Sequence, residues 1–128
     1  MITDSNTKLV ALIGHPISHT KSPELFSYFE DEFAPNAAYV PFDVEPEQLT
    51  TAIKGLKALG FVGANITAPY KNVVFKKAKT LGIKLTDVAK HCQSVNCLYF
   101  EDGELWGTTT DYVAMYDLLM NSVDPYSV

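Results

Sequence analysis

Arginine is absent from the sequence. All ten basic residues are lysines, against fifteen acidic residues, and the formal net charge is −5. Because two-pronged recognition of phosphate and guanine relies on arginine, this composition argues against nucleic-acid binding. Long hydrophobic runs are also absent: the longest near the start, 9–13, is too short for a membrane span or a signal sequence. We therefore expect a cytoplasmic protein with neither a nucleic acid nor a membrane as partner.

The few cysteines, histidines and glycines do not form the motifs of common redox, metal or dinucleotide-binding sites. Cys92 and Cys97 are five positions apart, which fits neither a CxxC redox pair nor a zinc knuckle, so we expect two buried thiols. His15 and His19 flank a proline in a predicted loop, and we expect no metal site. The glycines nowhere form G-x-G-x-x-G, so no cofactor-binding residues are predicted.

What the sequence does contain is the pattern of a single globular domain over 1–128. Its apolar content is 47% and its charged content 20%, as in ordinary globular proteins. Three apolar segments predict strands at 8–14, 38–44 and 61–67. Between and after them, helices are predicted from Ser22 to about 33, from 45 to about 60, and from about 70 to 80.

The last third of the chain predicts a different arrangement. Gly82 ends a helix, a short helical turn covers 86–91, and an Asp-Gly turn at 102–103 predicts a hairpin. A final helix begins at Thr109 or Thr110 and runs to about 121. Pro41, which lacks an amide hydrogen, predicts an edge position for its strand. We expect an α/β fold: a three-layer, mostly parallel sheet with one antiparallel strand and helices on both faces.

Four polar segments lie at or next to the ends of predicted strands, where loops or helices begin: 18–23, 65–71, 94–96 and 107–111. In parallel sheets ligands bind beside the carboxyl ends of the strands, so these segments are expected to meet at one cleft. Their hydroxyls, amide, ammonium and carboxylate suit a small polyhydroxylated molecule, whose many polar groups need hydrogen-bond partners.

Lys71 and Asp111 are the candidates for proton chemistry. A lysine in a partly desolvated cleft can exchange a proton with a substrate hydroxyl, and a neighbouring carboxylate can orient that hydroxyl. Taken singly, each residue has a plainer interpretation. Lys71 could be a surface lysine and Asp111 a helix cap, and Ser22 also fits a helix cap. Only the set of segments favours a site.

That set resembles the shikimate dehydrogenase family. The family's substrate-binding domain carries a Gly-x-Pro-Ile-x-His-Ser-x-Ser-Pro segment, which reads GHPISHTKSP at 14–23. Its Asn-Val-Thr-x-Pro-Phe-Lys segment reads NITAPYK at 65–71. Its Ala-Val-Asn-Thr and Asn-Thr-Asp segments read SVNC at 94–97 and TTD at 109–111. The similarity runs in order from about residue 8 to residue 118.

The resemblance implies an enzyme that interconverts 3-dehydroshikimate and shikimate with NADP(H), in the biosynthesis of chorismate and aromatic amino acids. It implies that Lys71 is the catalytic proton carrier, with Asp111 as its partner. It further implies a set of residues that hold the ring hydroxyls and carboxylate of the substrate: Thr20, Ser22, Thr67, Lys71, Asn96 and Asp111.

Several positions depart from the family pattern. Thr20 stands for a serine, Cys97 for a threonine and Thr109 for an asparagine, Gln93 and Ser94 replace Gly-Ala, and Tyr112 replaces a glycine. The added bulk at Thr20 and Tyr112 leaves the ligand open: shikimate, quinate or another cyclic polyol acid.

The family builds its nucleotide-binding domain after the helix that follows Asp111, and only seventeen residues follow Asp111 here. We therefore expect this chain to bind substrate but not NADP, and to be inactive alone. The alternative is a non-catalytic, stand-alone binding or regulatory protein with the same fold. Without the missing segment, the last helix is expected to expose apolar residues that drive self-association, namely Val113, Met115, Tyr116 and Leu119.

Overall fold

A computed structural model of the chain describes residues 4–17 and 37–109. Six strands lie in these ranges: β1 Lys8–Gly14, β2 Ala37–Asp43, β3 Gly63–Ile66, β4 Ile83–Leu85, β5 Cys97–Glu101 and β6 Glu104–Thr108. The helices are α1 Leu49–Ala58, which a 3-10 turn Pro46–Gln48 precedes, then α2 Lys71–Lys76, α3 Ala78–Leu81 and α4 Asp87–Cys92. The helix predicted at 22–33 lies outside the described ranges, and the helix predicted from Thr109 or Thr110 to about 121 lies outside them beyond Thr109. The apolar residues expected to be exposed on that last helix also lie outside them.

The six strands form one sheet in the order β2-β1-β3-β5-β6-β4. Every neighbouring pair is parallel except the two that involve β5, which runs antiparallel to β3 and to β6. The predicted mostly parallel sheet with one antiparallel strand is therefore confirmed. Pro41 lies in β2 at the edge of the sheet, as its missing amide hydrogen requires.

The described helices cover one face of the sheet. Helix α1 turns a regular apolar stripe toward the strands, formed by Leu49, Ile53 and Leu56. These side chains join a core whose largest fully buried members elsewhere are Ile13, Ile66, Val74, Val95 and Leu98. The opposite face has a smaller buried cluster of Leu12, Ile17 and Tyr39. The prediction of helices on both faces also involves the helix at 22–33 and the one from Thr109 or Thr110 to about 121, of which the structure describes only Thr109.

Two turns follow the sequence signals closely. Helix α3 ends at Gly82, whose φ of 70° is the left-handed conformation that glycine adopts without steric cost. The hairpin between β5 and β6 turns through Asp102 and Gly103, with φ values of 53° and 78°. Two consecutive positive φ values are those of a type I′ turn, which fits the twist of the paired strands.

The structure corrects three expectations. The helix predicted over 70–80 is two short helices that meet at Lys77. Strand β4 was not predicted, because it has only three residues and depends on pairing with β6. The expectation of two buried thiols is wrong for Cys92, which is exposed, whereas Cys97 is half-buried. Cys92 ends α4, a helix in which only Ala89 is buried, so its last turn faces solvent.

Candidate functional site

The carboxyl ends of β1 and β3 are tied directly to each other. The amide of Thr67, just past β3, donates to the carbonyl of Ile13 at 2.9 Å. The amide of His15, just past β1, donates to the carbonyl of Ala68 at 3.1 Å. The two polar segments that follow these strands therefore lie side by side.

Asn96 is held between β3 and β6. Its carbonyl accepts from the amide of Ile66 at 2.8 Å, and its own amide donates to the carbonyl of Thr108 at 3.0 Å. Because β5 runs antiparallel, its first residue lies at the same edge as the last residues of β3 and β6. One reversed strand thus brings Asn96 to the carboxyl ends of the parallel strands.

Lys71 is the first residue of α2 and its side chain is exposed. Its carbonyl accepts from the amide of Val95 at 3.1 Å, and the next residue, Asn72, donates from Nδ2 to the carbonyl of Gln93 at 3.0 Å. The start of α2 is therefore fixed against the segment that contains Asn96.

Three of the six predicted site residues thus belong to one edge, which we call the carboxyl-end rim: Thr67, Lys71 and Asn96, with Thr108 beside them. Thr20, Ser22 and Asp111 lie outside the described residues. Two buried hydroxyl residues, Thr108 and Thr109, lead the chain toward Asp111.

The rim is closely packed at Gly14. A Cβ atom at this position would lie 2.4 Å from Cγ2 of Thr67 and 3.0 Å from the carbonyl oxygen of Ala68. Distances this short are repulsive, so only glycine leaves Thr67 where it is. The glycine that begins the segment 14–23 therefore fixes a residue of the segment 65–71.

A polar row crosses the face of the sheet opposite α1, just below the rim. Asn65, Cys97 and Thr108 lie in register on β3, β5 and β6. Asn65 donates from Nδ2 to the hydroxyl of Tyr39 at 2.8 Å. The hydroxyl of Thr86 donates to that of Thr108 at 2.8 Å.

Sequence reasoning assigned no role to Tyr39 or to the amide of Asn65. The alternation of side chains along a strand places Asn65 on the face opposite to its buried neighbours Ala64 and Ile66. From the sequence, this alternation could have indicated the face on which Asn65 lies. The partner of Asn65 could not be read, because Tyr39 lies on a strand two positions away in the sheet.

Burial makes the ionisable side chains in and beside this row, Cys97 and Tyr39, harder to deprotonate. Desolvation raises the pKa of Tyr39, and the hydrogen bond from Asn65 lowers it by a smaller amount. Burial also raises the pKa of the Cys97 thiol. Both groups are therefore protonated near pH 7.

His15 and Asp43 form a hydrogen-bonded pair near the rim, at the ends of β1 and β2. Nδ1 of His15 lies 2.7 Å from Oδ1 of Asp43, and the two side chains are 37% and 53% exposed. Among residues 4–17 and 37–109, no group of three or more histidine, cysteine, aspartate or glutamate side chains could hold a metal ion.

Two cavities lie away from the rim. One of about 380 Å³ has a lysine-rich lining between α1 and the β5–β6 hairpin, which includes Lys54, Lys57 and Lys84. The other, of about 260 Å³, is apolar and lies between α1 and the end of β2. Neither cavity is lined by Thr67, Lys71 or Asn96.

Comparison with known proteins identifies relatives over most of the chain. Residues 12–98 match the model of a family described as the shikimate dehydrogenase substrate binding domain. A shikimate dehydrogenase (NADP(+)) from Caldanaerobacter subterraneus subsp. tengcongensis is 40% identical over 119 residues. That alignment covers 93% of this chain and 41% of the relative, so the chain spans about two fifths of the relative's length.

Solved structures agree with the sequence match. A shikimate dehydrogenase in complex with NADP+ superposes with a TM-score of 0.79 at 34% identity, over 96% of this chain and 42% of the other. A shikimate 5-dehydrogenase from Listeria monocytogenes, in complex with shikimate and NAD, superposes with a TM-score of 0.77 at 28% identity. This superposition covers 95% of this chain and 41% of the other. Within the described part of the chain, no helix is long and apolar enough to cross a membrane.

Proposed function

Because this chain belongs to the family of shikimate dehydrogenase substrate-binding domains, we propose that its carboxyl-end rim binds shikimate or a closely related cyclic polyol acid. On this proposal, residues 1–128 are the substrate-binding domain of an NADP-dependent oxidoreductase. The relatives that the chain matches are NADP-dependent shikimate dehydrogenases, and one neighbouring structure contains shikimate.

The observation that supports the proposal best is the hydrogen-bonded joining of separate segments at one edge. Thr67 is tied to β1, Asn96 bridges β3 and β6, and Lys71 is tied to the residues just before Asn96. These backbone bonds bring a hydroxyl residue, an amide residue and a lysine from distant parts of the chain to one edge, where they are proposed to face one ligand. A polyol loses the hydrogen bonds between its hydroxyls and water when it binds. Such a set of side chains can replace several of those hydrogen bonds at once.

Lys71 is proposed to carry the proton of the reaction. When the substrate alcohol is oxidised, the hydroxyl proton passes to Nζ of Lys71, and it returns to the oxygen when the ketone is reduced. Hydride transfer is the chemistry that a nicotinamide cofactor supplies. Asp111 is proposed to orient the same hydroxyl: it follows Thr109 by two residues, a stretch that spans at most about 7 Å.

The residues of this chain do not fit NADP. The sequence has no G-x-G-x-x-G turn, whose backbone would approach the pyrophosphate, and no arginine to pair with a 2′-phosphate. We therefore propose that NADP binds to a further domain of a longer protein. Thr20 and Ser22 are proposed to contact the carboxylate of the substrate, and Thr67 and Asn96 its ring hydroxyls.

The test is a calorimetric titration of the 128-residue chain with shikimate, with quinate and with NADP. We expect saturable binding of a cyclic polyol acid and none of NADP. Lys71→Met should weaken acid binding about tenfold, because a hydrogen bond from a charged group contributes about 1.5–3 kcal/mol and Lys71 is exposed.

Lys84→Met is the matched control, since Lys84 is also exposed but pairs with Glu104 at the opposite end of β6. Its affinity should equal that of the unaltered chain. Failure of the chain to bind any of the acids would contradict the proposal, as would one-to-one binding of NADP. An equal effect of the two lysine substitutions would refute the role of Lys71.

A further inference from the structure

The cavity of about 380 Å³ between α1 and the β5–β6 hairpin, which we call the lysine-lined cavity, is separate from the carboxyl-end rim. Glu104 and Leu105, which line it, are the first two residues of β6, whereas Thr108 beside the rim is the last. Because a strand rises about 3.3 Å per residue, about 13 Å separates Glu104 from Thr108. The volume of the cavity is that of a site for a small molecule.

The buried part of the lining is apolar. Four residues of the main core contribute to it: Ile53, Leu81, Phe100 and Leu105. Gly82 and Gly103 also line the cavity, and a Cβ atom at either position would meet nothing within 4 Å. The cavity is therefore open beside these two glycines, and its floor offers hydrophobic contact to a ligand.

The exposed part of the lining is positively charged. Lys54 and Lys57 are three positions apart in α1 and so share one face of the helix, and Lys84 contributes from β4. Glu104 is the only acidic residue of the lining, and its Oε2 accepts from Nζ of Lys84 at 2.6 Å. Three lysines against one glutamate leave a local charge of +2, in a chain whose net charge is −5.

Within residues 4–17 and 37–109, no salt bridge involves Lys54 or Lys57. A lysine lays its methylene stem along apolar surface and keeps its ammonium in water. Two ammonium groups without an acidic partner in the described structure are thus available at the mouth of the cavity, above an apolar floor. The ligand that complements both features is an anion with an apolar body.

We propose that the lysine-lined cavity binds a phosphate monoester with an apolar or aromatic body. The phosphate lies among Lys54, Lys57 and Lys84, and the body packs against Phe100 and Leu105. A phosphate monoester carries a charge of about −1.5 to −2 at pH 7, which balances the local charge. A carboxylate carries half of that charge, and its two-pronged recognition is the task of arginine, whereas lysine binds phosphate as a point charge. No residue of the rim takes part, so this inference is independent of the proposed function.

The test is a titration of the ¹⁵N-labelled 128-residue chain at pH 7.5, followed by nuclear magnetic resonance. The probes are phenyl phosphate, inorganic phosphate, which lacks the body, and benzoate, which lacks half of the charge. Phenyl phosphate should shift the amide signals of residues 54–57 and 100–105 saturably and leave those of Thr67 and Asn96 in place. It should bind at least about fivefold more tightly than either of the other probes, because only phenyl phosphate uses both the charge and the apolar floor.

Three variants test the electrostatic part of the inference with opposite expected signs. Lys57→Met should weaken the binding of phenyl phosphate about 3- to 10-fold. Glu104→Gln should strengthen it about threefold, because it removes the only negative charge of the lining. Lys90→Met is the matched control: Lys90 is also exposed and also lies in the last turn of its helix, α4, but it does not line the cavity. Its affinity should equal that of the unaltered chain.

Several results would overturn the inference. These are the absence of saturable binding, signal shifts centred on the rim, and an affinity for inorganic phosphate or benzoate equal to that for phenyl phosphate. Equal effects of Lys57→Met and Lys90→Met would also overturn it, as would a Glu104→Gln variant that binds no more tightly than the unaltered chain. None of these outcomes bears on the binding of a polyol acid at the rim, so the proposed function is tested separately.

Discussion

Gly14→Ala should damage both the fold and the site, because the added methyl has no room. Its carbon would lie 2.4 Å from Cγ2 of Thr67, where ordinary contacts are at least about 3.5 Å. Thr67 must recede by about 1 Å, or β1 and β3 must separate. Thr67 is β-branched and short, and the second obstacle, the carbonyl oxygen of Ala68 at 3.0 Å, is backbone. Neither can swing away freely.

Overpacking of this kind costs about 1–3 kcal/mol. For a chain of this size the midpoint of thermal unfolding should fall by about 3–10 °C. The displaced Thr67 hydroxyl should also weaken binding of the polyol acid at least tenfold, on the scale of the loss that a misplacement of about 1 Å causes in well-fitted sites. Circular dichroism gives the midpoint and calorimetry the affinity.

Three further variants isolate the cause. Adding Thr67→Ser to Gly14→Ala removes the obstructing methyl but keeps the hydroxyl, and should restore part of both losses. Gly63→Ala meets the carbonyl oxygen of Leu98 at 2.6 Å, at the other end of β3, and should cost stability but not affinity. Gly55→Ala meets nothing within 4 Å in α1 and should stabilise the chain by about 0.5–1 kcal/mol. If the Gly14→Ala variant has the same midpoint of thermal unfolding as the unaltered chain and binds the ligand equally well, the predicted clash with Thr67 is wrong.

The remaining predictions concern other side chains. Tyr70→Phe leaves the carbonyl of Val44 without its 2.6 Å donor, and urea denaturation should show a loss of about 1–2 kcal/mol; an unchanged midpoint would contradict this. Exposed Cys92 should react with a thiol reagent at pH 8 at least tenfold faster than half-buried Cys97; equal rates would refute the described burial. Because burial raises the pKa of Cys97 above its ordinary 9.0, the folded chain holds that proton more tightly than the unfolded chain. The free energy of unfolding should therefore fall as pH rises above about 9, and less steeply in Cys97→Ala; identical slopes would count against it. Lys84→Met should change the unfolding free energy by less than about 1 kcal/mol, since its ion pair is exposed.

Much of the fold was predictable because its signals are local. The alternation of apolar strands with helices, the Asp-Gly turn at 102–103 and the edge position of Pro41 each depend on the conformational preferences of a few neighbouring residues. The same holds for the motif segments, which were enough to indicate the family that the comparisons confirm. Where a local signal was weak, as for the three residues of β4, prediction failed.

The site was predictable only as a set of residue types. Thr67 and Asn96 could be chosen from their segments, yet what joins them is a strand order in which antiparallel β5 lies between β3 and β6. The partner of Asn65 could not be chosen at all, because Tyr39 reaches it from β2 past the intervening β1.

Apart from β4 and the break at Lys77, the sequence by itself determined which described segments become strands, helices and turns, because backbone preference and the spacing of apolar residues act over a few positions. Its motif segments also indicated the family. The tertiary structure alone decided which strands are neighbours, and therefore which polar groups meet at the carboxyl-end rim and which cysteine faces solvent. Those outcomes depend on contacts between residues far apart in the chain, whose pairing no local pattern specifies.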